Sequence, residues 1–216
     1  MLVLVFDTET TGLPTNNYEC KKEDWHTHWG HIVQWSWILY DTEKHKVMEI
    51  EDHIIKIADD VELSDESINI HGITREKINK NGIPIKEAML LFVYSLYECD
   101  MVLGHNVSFD VNMARAEMIR NEGFDYFTMA TVKHKCTMKS TIYLCKILTT
   151  SKTGRKYYKF PKLVELHEKV FETTPRNLHD SMTDVLVCLR CYMMIENKMD
   201  IYGKTPELTS LLNEII

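Results

Sequence analysis

The sequence has no apolar stretch near the roughly 18 residues that a membrane-spanning helix needs. No internal repeat or low-complexity tract interrupts it. Its start, Met1-Leu-Val-Leu-Val-Phe, lacks the basic residues and the small-residue cleavage site of a secretory signal. These absences set the expectation of an intracellular protein, cytoplasmic or nuclear, not secreted and with no membrane partner. A second metal-binding cysteine pair is missing as well, so Cys188-x-x-Cys191, in an apolar helical pattern, reads as core packing and not as half of a zinc site. Six cysteines scattered through 216 residues read as free thiols. His26, His28 and His31, beside Trp25 and Trp29, read as solvated loop residues.

An overall excess of positive charge is lacking too. A net charge of -7 excludes a protein that coats nucleic acid through bulk electrostatics. Locally the sign reverses, because residues 131–162 contain no Asp or Glu and nine Lys or Arg. Two readings of that stretch stay open. It is either a solvated basic helix and loop or a phosphate-contacting surface around Lys152, Arg155 and Lys156, with Tyr157, Tyr158 and Phe160 available for stacking on bases.

With 44% hydrophobic and 26% charged residues, the chain reads as one globular domain over 1–216. After the apolar opening, a turn-rich segment leads to two β-branched and aromatic runs, 31–41 and 45–57, joined by the polar Asp41-Thr42-Glu43-Lys44. Three antiparallel strands are therefore expected first. A short helix or turn ending at Gly72 follows, then a helix over 84–98 with Pro84 at its start, and a buried strand stopped by Gly104. Further helices are expected over a run closed by Gly123 and over 137–149, 161–171 and 181–197, with 149–156 as a loop. Strands first and strand–helix alternation later imply an α/β domain, a mixed sheet covered by helices.

The acids are placed unusually. "FDTETTG" puts Asp7 and Glu9 directly after a run that belongs in the interior, and alternation along a strand turns both to one face. Asp110 and Asp184 stand near two helix starts, where an acid by itself reads as a dipole-favouring or capping residue. Four carboxylates gathered from these places would repel one another unless hard divalent cations such as Mg²⁺ or Mn²⁺ neutralised them. Two such ions suit phosphodiester hydrolysis. A base is needed, and His179 lies five residues before Asp184. In one helix those residues would diverge by about 140°, so they share a site only if the helix begins between them, as capping by Asp180 or Ser181 permits.

"FDTETTG", "GHNVSFD" and "HDSMTD" resemble, in order, the three motifs of the DEDDh (DnaQ-like) 3′-to-5′ exonucleases of the ribonuclease-H-like superfamily. "HIVQWSWILYD" and "NIHGIT" resemble further family segments. The resemblance implies a five-stranded mixed sheet flanked by helices. It also implies two Mg²⁺ or Mn²⁺ ions on Asp7, Glu9, Asp110 and Asp184, with His179 as general base. Thr10, Ile70, His71, Asn106 and Phe109 would surround the terminal nucleotide. The tyrosine variant of the family is excluded, because the position four before the last acid is Asp180. Residues 16–30 are longer than the usual connection, and Cys136-Thr137 stands where many relatives have Asp-Thr.

The expected activity is release of nucleoside 5′-monophosphates from the 3′ ends of single-stranded or frayed nucleic acid, DNA favoured. A DNA polymerase or a replication or repair assembly is an expected partner. An RNA-trimming exoribonuclease and a non-catalytic end-binding module are the alternatives.

Overall fold

The structure, a computed structural model, describes residues 1–14 and 25–216. Nine residues of the 16–30 segment, 16–24, therefore lie outside the described residues. The opening apolar run forms β1 (Leu2–Thr10), whose Val3, Leu4, Val5 and Phe6 are buried on both faces. A strand buried on both sides belongs in the middle of a sheet. There β1 pairs antiparallel with β2 (Ile32–Asp41) and parallel with β5 (Met101–Gly104).

In chain order β2 is followed by β3 (Lys46–Lys56), α1 (Asp65–His71), α2 (Arg75–Asn81), β4 (Ile83–Pro84) and α3 (Ile85–Glu98). After β5 come α4 (Val107–Glu122), α5 (Tyr126–Ala130), β6 (Lys133–Cys136), α6 (Thr137–Ser140) and α7 (Ile142–Cys145). The chain continues with β7 (Leu148–Thr150), β8 (Lys156–Tyr158), α8 (Leu163–Phe171), α9 (Ser181–Asn197) and α10 (Pro206–Asn213). The main sheet runs β4-β3-β2-β1-β5-β6. The expected five-stranded mixed sheet is present, and the two-residue β4 adds a sixth strand at the edge of β3.

Each face of the sheet carries its own core. On one, Val3, Val5, Ile38 and Tyr40 meet α8, α9 and α10, including Leu166, Leu189 and Leu212. On the other, Leu4, Phe6, Trp35 and Trp37 meet α3, α4 and α5, with Phe92 edge-on to Phe6 at 4.9 Å and to Trp37 at 5.4 Å. Cys188 and Cys191 are buried in the first core as free thiols. Gly104 allows β5 to turn sharply into α4, since a Cβ there would meet Val107 at 3.1 Å and the Phe6 carbonyl at 3.3 Å.

Three expectations change. The single helix over 137–149 is instead two short helices and a strand, and the loop over 149–156 is the turn of a separate hairpin in which β7 pairs with β8. His26, His28 and His31 are half-buried, the first two in a short helical turn and His31 against Glu117, and are not solvated loop residues. Among the described residues no helix is long and apolar enough to cross a membrane.

Candidate active site

Parallel pairing of β1, β5 and β6 brings their C-terminal ends to one edge of the sheet. At that edge β1 presents Asp7 and Glu9 on one face, opposite Ser36 and Gln34 of β2. The register shifts between Glu9 and Thr10, a bulge that bends the strand just past the second acid. β5 ends at Gly104, and Asn106 adopts a left-handed conformation (φ 71°) that starts α4 and places Asp110 in its first turn. The Thr8 N–H and hydroxyl both donate to Asp110 Oδ1, at 3.1 and 2.9 Å, joining motifs 102 residues apart.

The third piece arrives on α9. Asp180 caps it, accepting from the Thr183 N–H at 3.1 Å, so the helix begins after His179 as its sequence permits. Ser181 donates its hydroxyl to the Asp7 carbonyl at 2.7 Å. Gln34 reinforces the docking, since its amide N donates to Asp180 at 3.1 Å and its amide O accepts from the Ser181 N–H at 3.3 Å. These bonds fix the first turn of α9 against β1 and β2, with Asp184 one turn further in. His179 sits on the preceding turn with φ 69°, its side chain exposed.

Asp7, Glu9 and Asp184 each offer a carboxylate oxygen within 4.8 Å of the others. Asp110 lies 3% exposed beside them, held by Thr8. Burial, and after it the charges of Asp110, Asp184 and Glu9, drives the Asp7 pKa well above its ordinary value. Burial with Asp184 and Asp110 pushes Glu9 up to about 9. Burial raises Asp110 to about 7 against the opposing Thr8 hydrogen bonds. Asp184 also rises to about 7 through burial, opposed by the His179 main-chain N–H. No cation among the described residues relieves any of the four. Asp184 Oδ1 is buried and accepts no hydrogen bond from them. An all-oxygen donor set, self-repelling and with an orphaned carboxylate oxygen, fits a hard divalent cation.

A cleft of about 530 Å³ opens beside the acids, lined by Glu9, Thr10, Ile70, His71 and Phe109 among others. Four of the five residues expected around a terminal nucleotide thus share one wall system, and Asn106 is the exception, at the start of α4. His71 is fixed from both sides, its Nε2 3.3 Å from the Thr10 carbonyl and its Nδ1 accepting from the Ile73 N–H at 3.0 Å. Burial holds its pKa below the ordinary histidine value. Ile70 is half exposed on the cleft wall, and Phe109 packs on Trp29 with ring centroids 5.7 Å apart. Sequence reading passed over Thr8 and Gln34. It also passed over Gly12, Ser64 and Ser67, which are part of the cleft lining. Thr8 alone carried a signal, its place between the two acids. Lys152, Arg155 and Lys156 lie outside this cleft, exposed on the β7–β8 hairpin.

The family model RNase T, described as "Exonuclease", matches residues 4–192. No curated protein sequence matches the chain significantly. Among solved structures, E. coli exonuclease I in complex with a dT13 oligonucleotide is similar with a TM-score of 0.65 at 20% identity, over 97% of this chain and 43% of that one. Its complex with dA16 gives 0.63 at 19% identity, over 97% and 42%. Its zinc-bound complex with single-stranded DNA gives 0.64 at 19% identity, over the same 97% and 42%. The chain thus spans less than half the length of these exonuclease I chains, and at this identity the likeness is one of fold. With its motifs on that fold and the match covering most of its length, the chain belongs to the RNase T exonuclease family, the DEDDh (DnaQ-like) branch of the ribonuclease-H-like superfamily.

Proposed function

We propose that this protein is a 3′-to-5′ exonuclease that releases nucleoside 5′-monophosphates from single-stranded or frayed ends. The observation that carries the reading is the uncompensated carboxylate cluster at the head of a cleft of nucleotide size. Asp7, Glu9, Asp110 and Asp184 are the residues that would hold two Mg²⁺ or Mn²⁺ ions. Such ions, when bound, would lower the pKa of water and offset charge on the phosphate under attack. The chain supplies the rest. His179, exposed ahead of the α9 cap, takes the proton of the attacking water, and its place on a turn lets the ring approach the phosphate. Thr10, Ile70, His71 and Phe109 line the space for the terminal sugar and base, with Asn106 at the adjoining helix start. The attacking water's oxygen stays on the released 5′-phosphate, and the 3′-oxygen of the shortened strand leaves.

DNA is favoured as substrate because the similar exonuclease I structures hold dT13 and dA16. Residues 1–216 act as one domain in this reading, since Leu208, Leu212 and Ile215, past the matched region, share a core with β1 and α9. A polymerase or a replication or repair assembly remains the class of partner for such a domain.

The test is hydrolysis of 5′-labelled single-stranded DNA and RNA of one sequence with Mg²⁺, with Mn²⁺ and with EDTA. A ladder shortening from the 3′ end, faster on DNA and abolished by EDTA, is expected. Absence of cleavage of both polymers in both metals overturns the assignment.

A further inference from the structure

The β7–β8 hairpin stands apart from the main sheet and from both cores, yet its root is fastened beside the acids. Pro161, just past β8, accepts a hydrogen bond from His105 Nε2 at 3.0 Å, and His105 lies between Gly104 of β5 and Asn106 at the head of α4. The other ring nitrogen of His105 is 2.9 Å from the buried Thr137 hydroxyl, so that root is held firmly. Glu165 secures the strand end, accepting from Lys159 Nζ at 2.8 Å and from the Lys162 N–H at 2.7 Å. A two-stranded hairpin is marginal alone, and these bonds explain how this one persists.

Its surface is unlike the rest of an acidic protein. Pairing of Leu148 with Tyr158 and of Thr150 with Lys156 places these four side chains on one face. Tyr143 adds its ring edge-on to Tyr158 at 6.2 Å. Tyr143 is 75% exposed and Tyr158 42%, although rings of this size gain by burial. Lys152, Arg155 and Lys156 at the turn are exposed and have no acidic partner among the described residues. Lys135 and Lys159, by contrast, are tied to Glu196 and Glu165. Aromatic faces interleaved with free cations match the bases and phosphates of a single strand.

We infer that the hairpin is a second nucleic-acid site, a track for single-stranded DNA upstream of the 3′ end held in the cleft. This rests on the exonuclease reading for its direction, but its binding is separable from catalysis. The turn supplies charge that tracks the backbone, and Tyr143 and Tyr158 supply sequence-tolerant stacking.

The test is fluorescence anisotropy with a labelled oligothymidylate of about 20 nucleotides, in EDTA across a salt series, with oligouridylate of the same length alongside. Combined Lys152→Ala, Arg155→Ala and Lys156→Ala is expected to weaken DNA binding about tenfold at low salt. It should also make the slope of log affinity against log salt shallower by about 2, three phosphate contacts at roughly 0.7 each. Combined Tyr143→Ala and Tyr158→Ala should weaken binding about as much while leaving the slope unchanged. Unchanged affinity and slope in both variants overturns the inference, and tighter binding of oligouridylate by the wild type overturns its assignment to DNA. The p-nitrophenyl ester of thymidine 5′-monophosphate, which holds one nucleotide, separates the two sites, because the hairpin variants should hydrolyse it as the wild type does. Should the wild type hydrolyse nothing while the variants still lose binding, the exonuclease reading fails and the hairpin site stands.

Discussion

Helix α4 buries two acids, Asp110 and Glu117, and treats them oppositely. Glu117 is 2% exposed and surrounded by donors, with Arg120 Nη1 at 2.8 Å, His31 Nδ1 at 3.2 Å, the Ile32 N–H at 3.2 Å and Asn121 at 3.0 Å. Burial alone would raise its pKa, but His31, Arg120 and Ile32 together hold it below the ordinary value. Asp110, two turns earlier and as deeply buried, has Thr8 and its own main-chain N–H as donors but three acids and no cation as neighbours among the described residues, and its pKa rises to about 7. A buried acid that serves the fold arrives with its counter-charge. One that lacks a counter-charge leaves a place for a charge from outside.

The largest effects should come from removing the uncompensated acids. Asp7→Ala and Asp184→Asn are expected to abolish hydrolysis of single-stranded DNA, and neither should lower the melting temperature measured in EDTA, because each relieves like-charge repulsion. A large loss of stability in Asp184→Asn would show that this acid belongs to the same class as Glu117. Next in size, His179→Ala should lower kcat by about 10²-fold, the usual worth of a positioned general base. Its exposed side chain makes the melting temperature insensitive to the change. A kcat within a few-fold of the wild type in His179→Ala, at saturating Mg²⁺, would remove the base role.

Only the uncompensated side of this contrast was legible in the sequence, and the reason is local geometry. The period of a strand sets Asp7 and Glu9 on one face, and the capping chemistry of Asp180 separates His179 from Asp184. Of Glu117's partners only Arg120, one helical turn on, lies within reach of a sequence reading; His31 and the Ile32 N–H meet it across 85 or more residues, and nothing in either segment announces the other. The same applies to the bonds from Gln34 to Asp180 and Ser181. Elements were missed where they bury little. β6 reads Lys-His-Lys-Cys and β8 reads Lys-Tyr-Tyr, both largely exposed, so a hydrophobic period had nothing to register. The hairpin turn did leave a mark, Gly154 at φ 83°.

A smaller effect, on stability, tests the other half of the comparison. Arg120→Ala strands Glu117 and also removes donors to the His26 and Trp29 carbonyls, which lie at 2.7 and 3.0 Å. Breaking a buried pair on one side costs about 3 kcal/mol or more, which urea unfolding resolves. Hydrolysis at a temperature where the variant stays folded should fall only modestly, through the Trp29 ring that supports Phe109. A variant as stable as wild type would mean that water compensates Glu117, and the contrast between the two acids would lose its basis.

The smallest effect is a pH dependence in which the two kinds of acid act with opposite sign. Glu117 has a depressed pKa in the folded state, so its contribution is present above the unfolded value near 4.5 and is lost as pH falls below it. Glu9, Asp110 and Asp184 have raised values, about 9, 7 and 7. The folded state therefore binds more protons than the unfolded chain above about pH 4, and stability falls as pH rises toward about 9. In EDTA the melting temperature should pass through a maximum near pH 5 and decline on both sides. Asp184→Asn should flatten the alkaline decline and Glu117→Gln the acid one. Mg²⁺ should flatten the alkaline decline in the wild type and not in Asp184→Asn, because cation binding requires the carboxylates that repulsion otherwise protonates. A metal-free melting temperature that stays level between about pH 5 and pH 9 would mean that the four carboxylates are already neutralised within the fold.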